Sequence, residues 1–406
     1  MAKFTKTLCL TAVLLAGVTI TPFFLTNETA KPTVEQRQPA TEPQESKQTV
    51  GAQREQLAAA VGNEDTSQEL AITTQWRNYS TRDGLPSDKT HCVRSDGERI
   101  WIGTDAGLAC YEAGRFRTYT ISDGLAHPVV LAIDVSPLTG DVWIATMGGL
   151  NRWSAGKFEK FDQFNSGLAN DVVYAVACQE NFVWAATASG ASRFDAYTQQ
   201  WSIFNEKNAP MHEPWTYSVS AQDGMVYIAA WGGGVLEFNT KTEQWKDYRD
   251  PDGEMELDIF PNDGLVHDVT ASVSYENKIL WVGTYFGLNR FDGARWWGYF
   301  DHDSGLVSNF INFVKARGNV VWVCTDKGLN SFDGATWVTY RRAANGKTGE
   351  ILISRDQAQV ARRTSSTALA HNYILGVDFQ DDTVWVATAK GVSRGTGRNK
   401  LAIRSP

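Results

Sequence analysis

The chain has 406 residues, 42% hydrophobic and 12% aromatic with 15 tryptophans, enough to bury one large all-β core or two or three smaller ones. Its formal net charge is −8 and its only marked run of lysine and arginine lies within residues 341–370, which argues against nucleic acid as a main partner. Of the five cysteines, Cys92, Cys110, Cys178 and Cys324 fall where equivalent segments hold small or apolar residues, so free buried thiols are expected rather than a disulfide framework.

In chain order, residues 1–26 read as a targeting segment. Lys3 and Lys6 precede an apolar run over 8–25, at the lower limit of a membrane span and long for a signal-peptide core. No small-x-small cleavage site follows, which favours an uncleaved membrane anchor over a cleaved signal. Either way the positive-inside rule exports the remainder to the periplasmic or extracellular side. Cys9 begins the apolar run, where a lipidated cysteine would end it. Residues 27–70 are rich in Thr, Glu, Gln, Ala and Pro and almost free of aromatics, the composition of a disordered polar tether.

From residue 71 to about residue 400 the chain is periodic. IWIGTDAGLACY at 100–111 is followed by VWIATMGGLNRW and VWAATASGASRF, and seven such segments carry the anchors Trp101, Trp143, Trp184, Tyr227, Trp281, Trp322 and Trp385. The anchors lie 42, 41, 43, 54, 41 and 63 residues apart, with a Gly six positions after each (seven at Tyr227). A period near 41 with four short strands per repeat predicts a β-propeller. A second column pairs aromatics three residues apart: Trp76/Tyr79, Phe116/Tyr119, Phe158/Phe161, Trp201/Phe204, Trp245/Tyr248, Trp296/Tyr299 and Trp337/Tyr340. Residues so spaced on a strand face opposite sides, which suits a blade covered by a neighbour on each face. The first pair has no anchor before it and the last anchor no pair after it. The strand near residue 76 is therefore expected to join the last blade and close the ring. The expected fold is all-β, a seven-bladed β-propeller of four-stranded blades over 71–400, with a tail at 401–406.

A third signature precedes the innermost strands: DGL at Asp83, Asp123 and Asp263, and SGL at Ser166 and Ser304. DGL, a strand, WIGT-x-x-GL and an aromatic pair together resemble the two-component regulator propeller repeat, over about residues 71–400. The resemblance implies the extracytoplasmic sensor half of a hybrid histidine kinase, or a stand-alone exported protein. No kinase or receiver module fits in this chain, so a membrane signalling partner would carry the output. Blade 4 departs from the pattern, with Tyr227 and neither Gly-Thr nor DGL; blade 7 has TALAH in place of the turn.

Propellers bind ligands at the mouth of the central channel, where one aligned column reads Ser87, His127, Asn170, Glu213, His267, Ser308 and His371. Two readings stay open. The imidazoles and carboxylate converge, with His127, Glu213, His267 and His371 holding a divalent metal and His267 and Glu213 moving protons. Alternatively, this is a turn position whose polar side chains bond backbone amides. Twelve of the 15 tryptophans occupy repeat columns, leaving Trp215, Trp231 and Trp297. Trp215 and Trp231 fall in mouth-side loops of blade 4, and Tyr285 and Phe286 in the matching loop of blade 5. With His267 they form the expected ligand platform for a sugar ring or planar molecule, unless they cap the channel by packing on one another.

Two insertions break the period. Residues 249–262 carry five acidic residues without the regular ligand spacing of a calcium loop. Residues 341–370 carry Arg341, Arg342, Lys347, Arg355, Arg362 and Arg363 and read as a basic mouth-side lid or a disordered surface loop. WGGGV at 231–235 lacks the following helix that a phosphate loop needs. No nucleophile elbow, metalloprotease helix or dinucleotide fingerprint is present. The expected function is an exported, membrane-tethered module that binds or senses a small molecule or glycan and acts through a partner. The alternative is a metal-assisted lyase or hydrolase, similar in architecture to propeller lyases that open cyclic peptide antibiotics.

Overall fold

Seven antiparallel sheets form a ring of blades in this computed structural model, which describes residues 70–251 and 264–401. The predicted anchor, the tether, the acidic centre of the 249–262 insertion and the tail lie outside the described residues. Among the described residues no helix is long and apolar enough to cross a membrane. Blade 1 runs outward from the channel as Thr90–Ser95, Ile100–Thr104, Leu108–Glu112 and Arg115–Tyr119. Blade 7 pairs Ile374–Gln380, Thr383–Thr388 and Gly391–Leu401 with Leu70–Tyr79 as its outermost strand, the closure that the unpaired motifs predict.

The repeat columns have physical causes. The threonine of WIGT donates its hydroxyl to the Gly carbonyl three residues on, at 2.6–2.9 Å, from Thr104, Thr146, Thr187, Thr284, Thr325 and Thr388. The same hydroxyl accepts the N–H two residues on, so one side chain fixes the whole turn. In DGL the Asp83 carboxylate accepts from the Ser80 N–H and hydroxyl, and Gly84 takes φ +111°, open to glycine without strain.

The aromatic pairs join the blades. At each boundary the first member of a pair meets the second member of the preceding blade, with centroids 5.3–5.9 Å apart: Tyr79–Phe116, Tyr119–Phe158, Phe161–Trp201, Phe204–Trp245, Tyr248–Trp296, Tyr299–Trp337 and Tyr340–Trp76. Six second members also lie over their own blade's anchor tryptophan at 5.4–6.0 Å. Each such pair contributes about 0.5–1.5 kcal/mol beyond its buried area, and seven bridges close a circle. Cys92, Cys110, Cys178 and Cys324 are free thiols, as expected.

Blade 6 corrects two readings. Residues 341–370 form neither a lid nor a disordered loop. The chain continues from Thr336–Arg342 into two further strands, Gly349–Arg355 and Ala358–Ser365, making a six-stranded blade. Arg341 and Arg362 both bind Glu350, the first at 2.7 Å, and Arg342 is spent on the carbonyls of Leu369 and Ala370 at 3.1 Å. These bonds tie three of the six basic residues to the protein itself.

Candidate functional site

Seven innermost strands enclose a channel cavity of about 390 Å³. Because side chains alternate along a strand, each blade offers only a few residues to it. The polar column sits in the turns that enter these strands. Six of its seven members accept the N–H two residues further on: Ser87 from Lys89, His127 from Val129, Asn170 from Val172, His267 from Val269, Ser308 from Phe310 and His371 from Tyr373, at 2.9–3.4 Å. Each imidazole uses Nδ1 as the acceptor, so it stands as an N–H tautomer at Nε2. Burial lowers the pKa of His127, and burial followed by Lys390 and Arg342 lowers that of His371. Both rings are neutral near pH 7, as an accepting Nδ1 requires. Glu213 is exposed. Among the described residues no three His, Cys, Asp or Glu groups converge as a metal centre would need. The structure thus does not bring His127, Glu213, His267 and His371 together as a metal centre; each imidazole instead accepts from an amide of its own turn.

The aromatic cluster is larger than the sequence suggests, and its rings pack on one another. Tyr174 and Tyr217, on the innermost strands of blades 3 and 4, stack at 4.5 Å and 12°. Tyr217 lies 4.9 Å from Trp231, Trp231 meets Tyr285 edge-on at 4.9 Å, and Tyr285 stacks on Phe310 of blade 6 at 3.9 Å. Trp215 leans on Tyr174, Tyr217 and Trp231 at 5.8–6.5 Å. Six half-buried rings thus form one continuous arc from blade 3 to blade 6. Trp215, Trp231 and Tyr285 belong to it; Phe286 instead stacks on His267 at 4.2 Å. Tyr174 and Tyr217 escaped the sequence reading because blades 2 and 5 carry Leu131 and Ala271 at the tyrosine position, and Phe310 because its column holds Lys89, Val129, Val172 and Val269 in other blades, leaving no period to follow. Burial pushes the Tyr285 phenol up to about 12, so it is a neutral hydroxyl near pH 7.

The rest of the rim is mixed, with Met147, Ala188 and Ala389 at the positions of Trp231 and Tyr285 in blades 2, 3 and 7 and charged residues in blades 1 and 6. Lys89 and Asp105 pair at 3.8 Å. Asp326 occupies in blade 6 the position of Trp231 and Tyr285, and its Oδ1 is buried without a hydrogen bond. His91, on the channel wall, has a buried Nε2 in the same condition, and burial lowers its pKa. Buried polar atoms left unpaired are uncommon in folded proteins.

Deeper in the channel lies a charge network that the sequence did not disclose. Arg94 of blade 1 binds Asp134 of blade 2 at 2.6 Å and approaches Asp378 of blade 7 at 3.6 Å, while Lys315 of blade 6 reaches Asp378 at 3.7 Å. The Cys178 and Ser95 N–H groups donate to Asp134 and Asp378 at 2.7 Å. Burial opposes the Arg94 charge, but Asp134 and Asp378 outweigh it and raise its pKa; burial and then Arg94 lower that of Lys315. The network is internally neutralised and ties together the four blades astride the closing seam. Among the described thiols burial pushes Cys92 and Cys110 up to about 12 and Cys178 and Cys324 well above their ordinary value, so none of these four is an activated nucleophile.

No family model matches the chain, and no curated protein matches it significantly. Its structure is similar to two extracellular domains from B. thetaiotaomicron assigned to hybrid two-component systems, with TM-scores of 0.60 and 0.57 at 17% and 16% identity. These likenesses cover 80% and 79% of this chain but 42% and 39% of those chains, less than half their length. Virginiamycin B lyase from Staphylococcus aureus is also similar, with a TM-score of 0.55 at 11% identity over 79% of this chain and 97% of that one. At these identities the likeness establishes the propeller fold, in agreement with the resemblance drawn from the repeats.

Proposed function

We propose that this chain is an extracytoplasmic recognition propeller. It binds a small molecule or glycan at the channel mouth and passes the binding event to a membrane signalling partner. The observation that carries the reading is the arc of Tyr174, Trp215, Tyr217, Trp231, Tyr285 and Phe310, with the Lys89–Asp105 pair in the mouth-side loops of blade 1. Aromatic faces take up the apolar face of a sugar or planar ring, while the exposed Lys89 and its partner Asp105 offer charged groups at the mouth. Export is supported by the apolar N-terminal run and by the extracellular domains that share the fold. The metal-assisted lyase or hydrolase has weaker support, since its divalent-metal donors His127, Glu213, His267 and His371 do not converge.

A glycan and metabolite array read by calorimetry tests this. Trp231→Ala is expected to weaken the best ligand at least tenfold, about 1.4 kcal/mol, with the fold retained. Unchanged affinity in Trp231→Ala and Tyr217→Ala would remove the mouth as the site.

A further inference from the structure

A second cleft, distinct from the mouth, opens on the opposite end of the ring between blades 4 and 5. It has a volume of about 460 Å³ and is lined by Asp223, Met225, Tyr227, Tyr275, Phe291 and Asp292, with Leu280, Gly293 and one lysine, Lys278. The repeat itself indicates what belongs there. One boundary earlier, the Arg193 guanidinium of blade 3 lies 4.9–5.9 Å from the ring centroids of Phe182, Trp184, Phe204 and Phe238. Its edge reaches Glu243, in the outer turn of blade 4, at 3.9 Å. In the repeat alignment those four rings correspond to Met225, Tyr227, Tyr248 and Phe291. Three of the four counterparts line the cleft, so the cleft is the place a guanidinium fills one blade back.

The residue equivalent to Arg193 is Glu237, a carboxylate at a position where four of the other six blades carry arginine. Glu237 is buried and does not line the cleft. It accepts from the Tyr227 and Tyr248 hydroxyls at 3.0 and 2.7 Å and pairs with Lys246 at 3.1 Å. Asp292 offers a carboxylate from the outer turn of blade 5, as Glu243 does from that of blade 4. Burial would raise its pKa, but the Arg295 and Ala294 N–H groups hold it below the usual carboxylate range. Asp223 adds a second carboxylate at the exposed rim, against the opposing charge of Lys278. Aromatic faces with carboxylates at their edge attract a planar cation through the ring quadrupole and direct pairing.

We infer that the cleft between blades 4 and 5 is a binding site for a guanidinium-bearing ligand, which takes in trans the place that Arg193 takes in cis. The test is a titration of the full chain, with carbon-13 in the methionine methyls, by agmatine and by an arginine blocked at both ends. The chain has five methionines, and Met147 and Met211 belong to the mouth side, so they serve as internal controls. The Met225 methyl resonance is expected to shift saturably while the other two stay fixed. Asp223→Asn, which suits the left-handed backbone at φ 55°, should weaken binding roughly fivefold. Glu237→Arg should abolish the shift by filling the cleft from within. Binding of both ligands assigns the site to an arginine side chain on another protein. Binding of agmatine alone assigns it to a free guanidinium compound. No saturable Met225 shift with either, or an unaltered affinity in a folded Asp223→Asn variant, overturns the inference.

Discussion

Asn170 and His371 occupy equivalent turns and use different atoms for one task, Oδ1 and Nδ1 each accepting the N–H two residues on at 2.9 and 3.0 Å. The exchange has a consequence only in acid. His127 and His371 have pKa values lowered by burial, so the unfolded chain binds their protons more readily than the folded one. Their contribution to stability is complete above the ordinary histidine value of about 6.5 and is lost as pH falls through that value towards the folded ones. Replacing both by Asn should leave the melting temperature near pH 8 unchanged and flatten its decline between about pH 6.5 and 5. Calorimetry across that range decides it; a steep decline retained in the variant would mean that other groups titrate there. Blade 4 is the other lesson at this scale. Glu237 stands where Arg152, Arg193, Arg290 and Arg394 stand in other blades, and its partner is Tyr227 where the repeat has Trp. The irregular blade exchanged a stacked cation for a hydrogen-bonded carboxylate, and both unassigned clefts border it.

The hairpin on blade 6 shows what an added element does to its neighbours. In blade 1 the outermost strand is mostly exposed, with Arg115, Arg117 and Thr118 in solvent, whereas Thr336, Trp337, Val338, Thr339 and Tyr340 are all buried beside the hairpin. Ile351 and Ile353 are buried with them. Ile353→Ala is expected to cost about 2–5 kcal/mol, as large-to-small changes in packed cores do, which chemical denaturation can measure. A loss below about 1 kcal/mol would mean that the hairpin is decoration. Blades were legible in the sequence because anchor, glycine and aromatic pair recur with a fixed period. The hairpin was not, because it occurs once. Its signals are the alternation of Ile351 and Ile353 around Leu352 and the tight turn at Asp356–Gln357, both at positive φ, and charge composition masked them. The throat network escaped for a related reason: Arg94, Asp134, Lys315 and Asp378 share one repeat position, but blades 3, 4 and 5 hold Ala177, Ser220 and Ser274 there. Only closing the ring makes the charged blades adjacent.

For the whole molecule, the seam governs integrity. The closing strand supplies Trp76 to Tyr340 on one side and Tyr79 to Phe116 on the other, and Ser393 donates its hydroxyl to Asn78 within blade 7. A chain beginning at residue 80 keeps every other blade but leaves blade 7 with three strands and a bare edge. It should lose the single cooperative transition of a chain beginning at residue 70 and gain aggregation, by scanning calorimetry and light scattering. Equal cooperativity in the two would show that the ring holds without its clasp.

That clasp also sets a clock. Asn78 and its partner Ser393 are 315 residues apart in the chain, so the strand that finishes the ring is made first and its mate last. At ordinary synthesis rates the interval is on the order of 15–60 s, far longer than the microseconds to milliseconds in which hairpins and single sheets form. Throughout it the early strand is an unmated ribbon competing for any exposed edge, its own blades included. The throat network, which joins blades 6 and 7 to blades 1 and 2, comes into register only when the wait ends. A peptide of residues 70–79 supplied during synthesis should therefore be captured by nascent chains and ignored by finished ones.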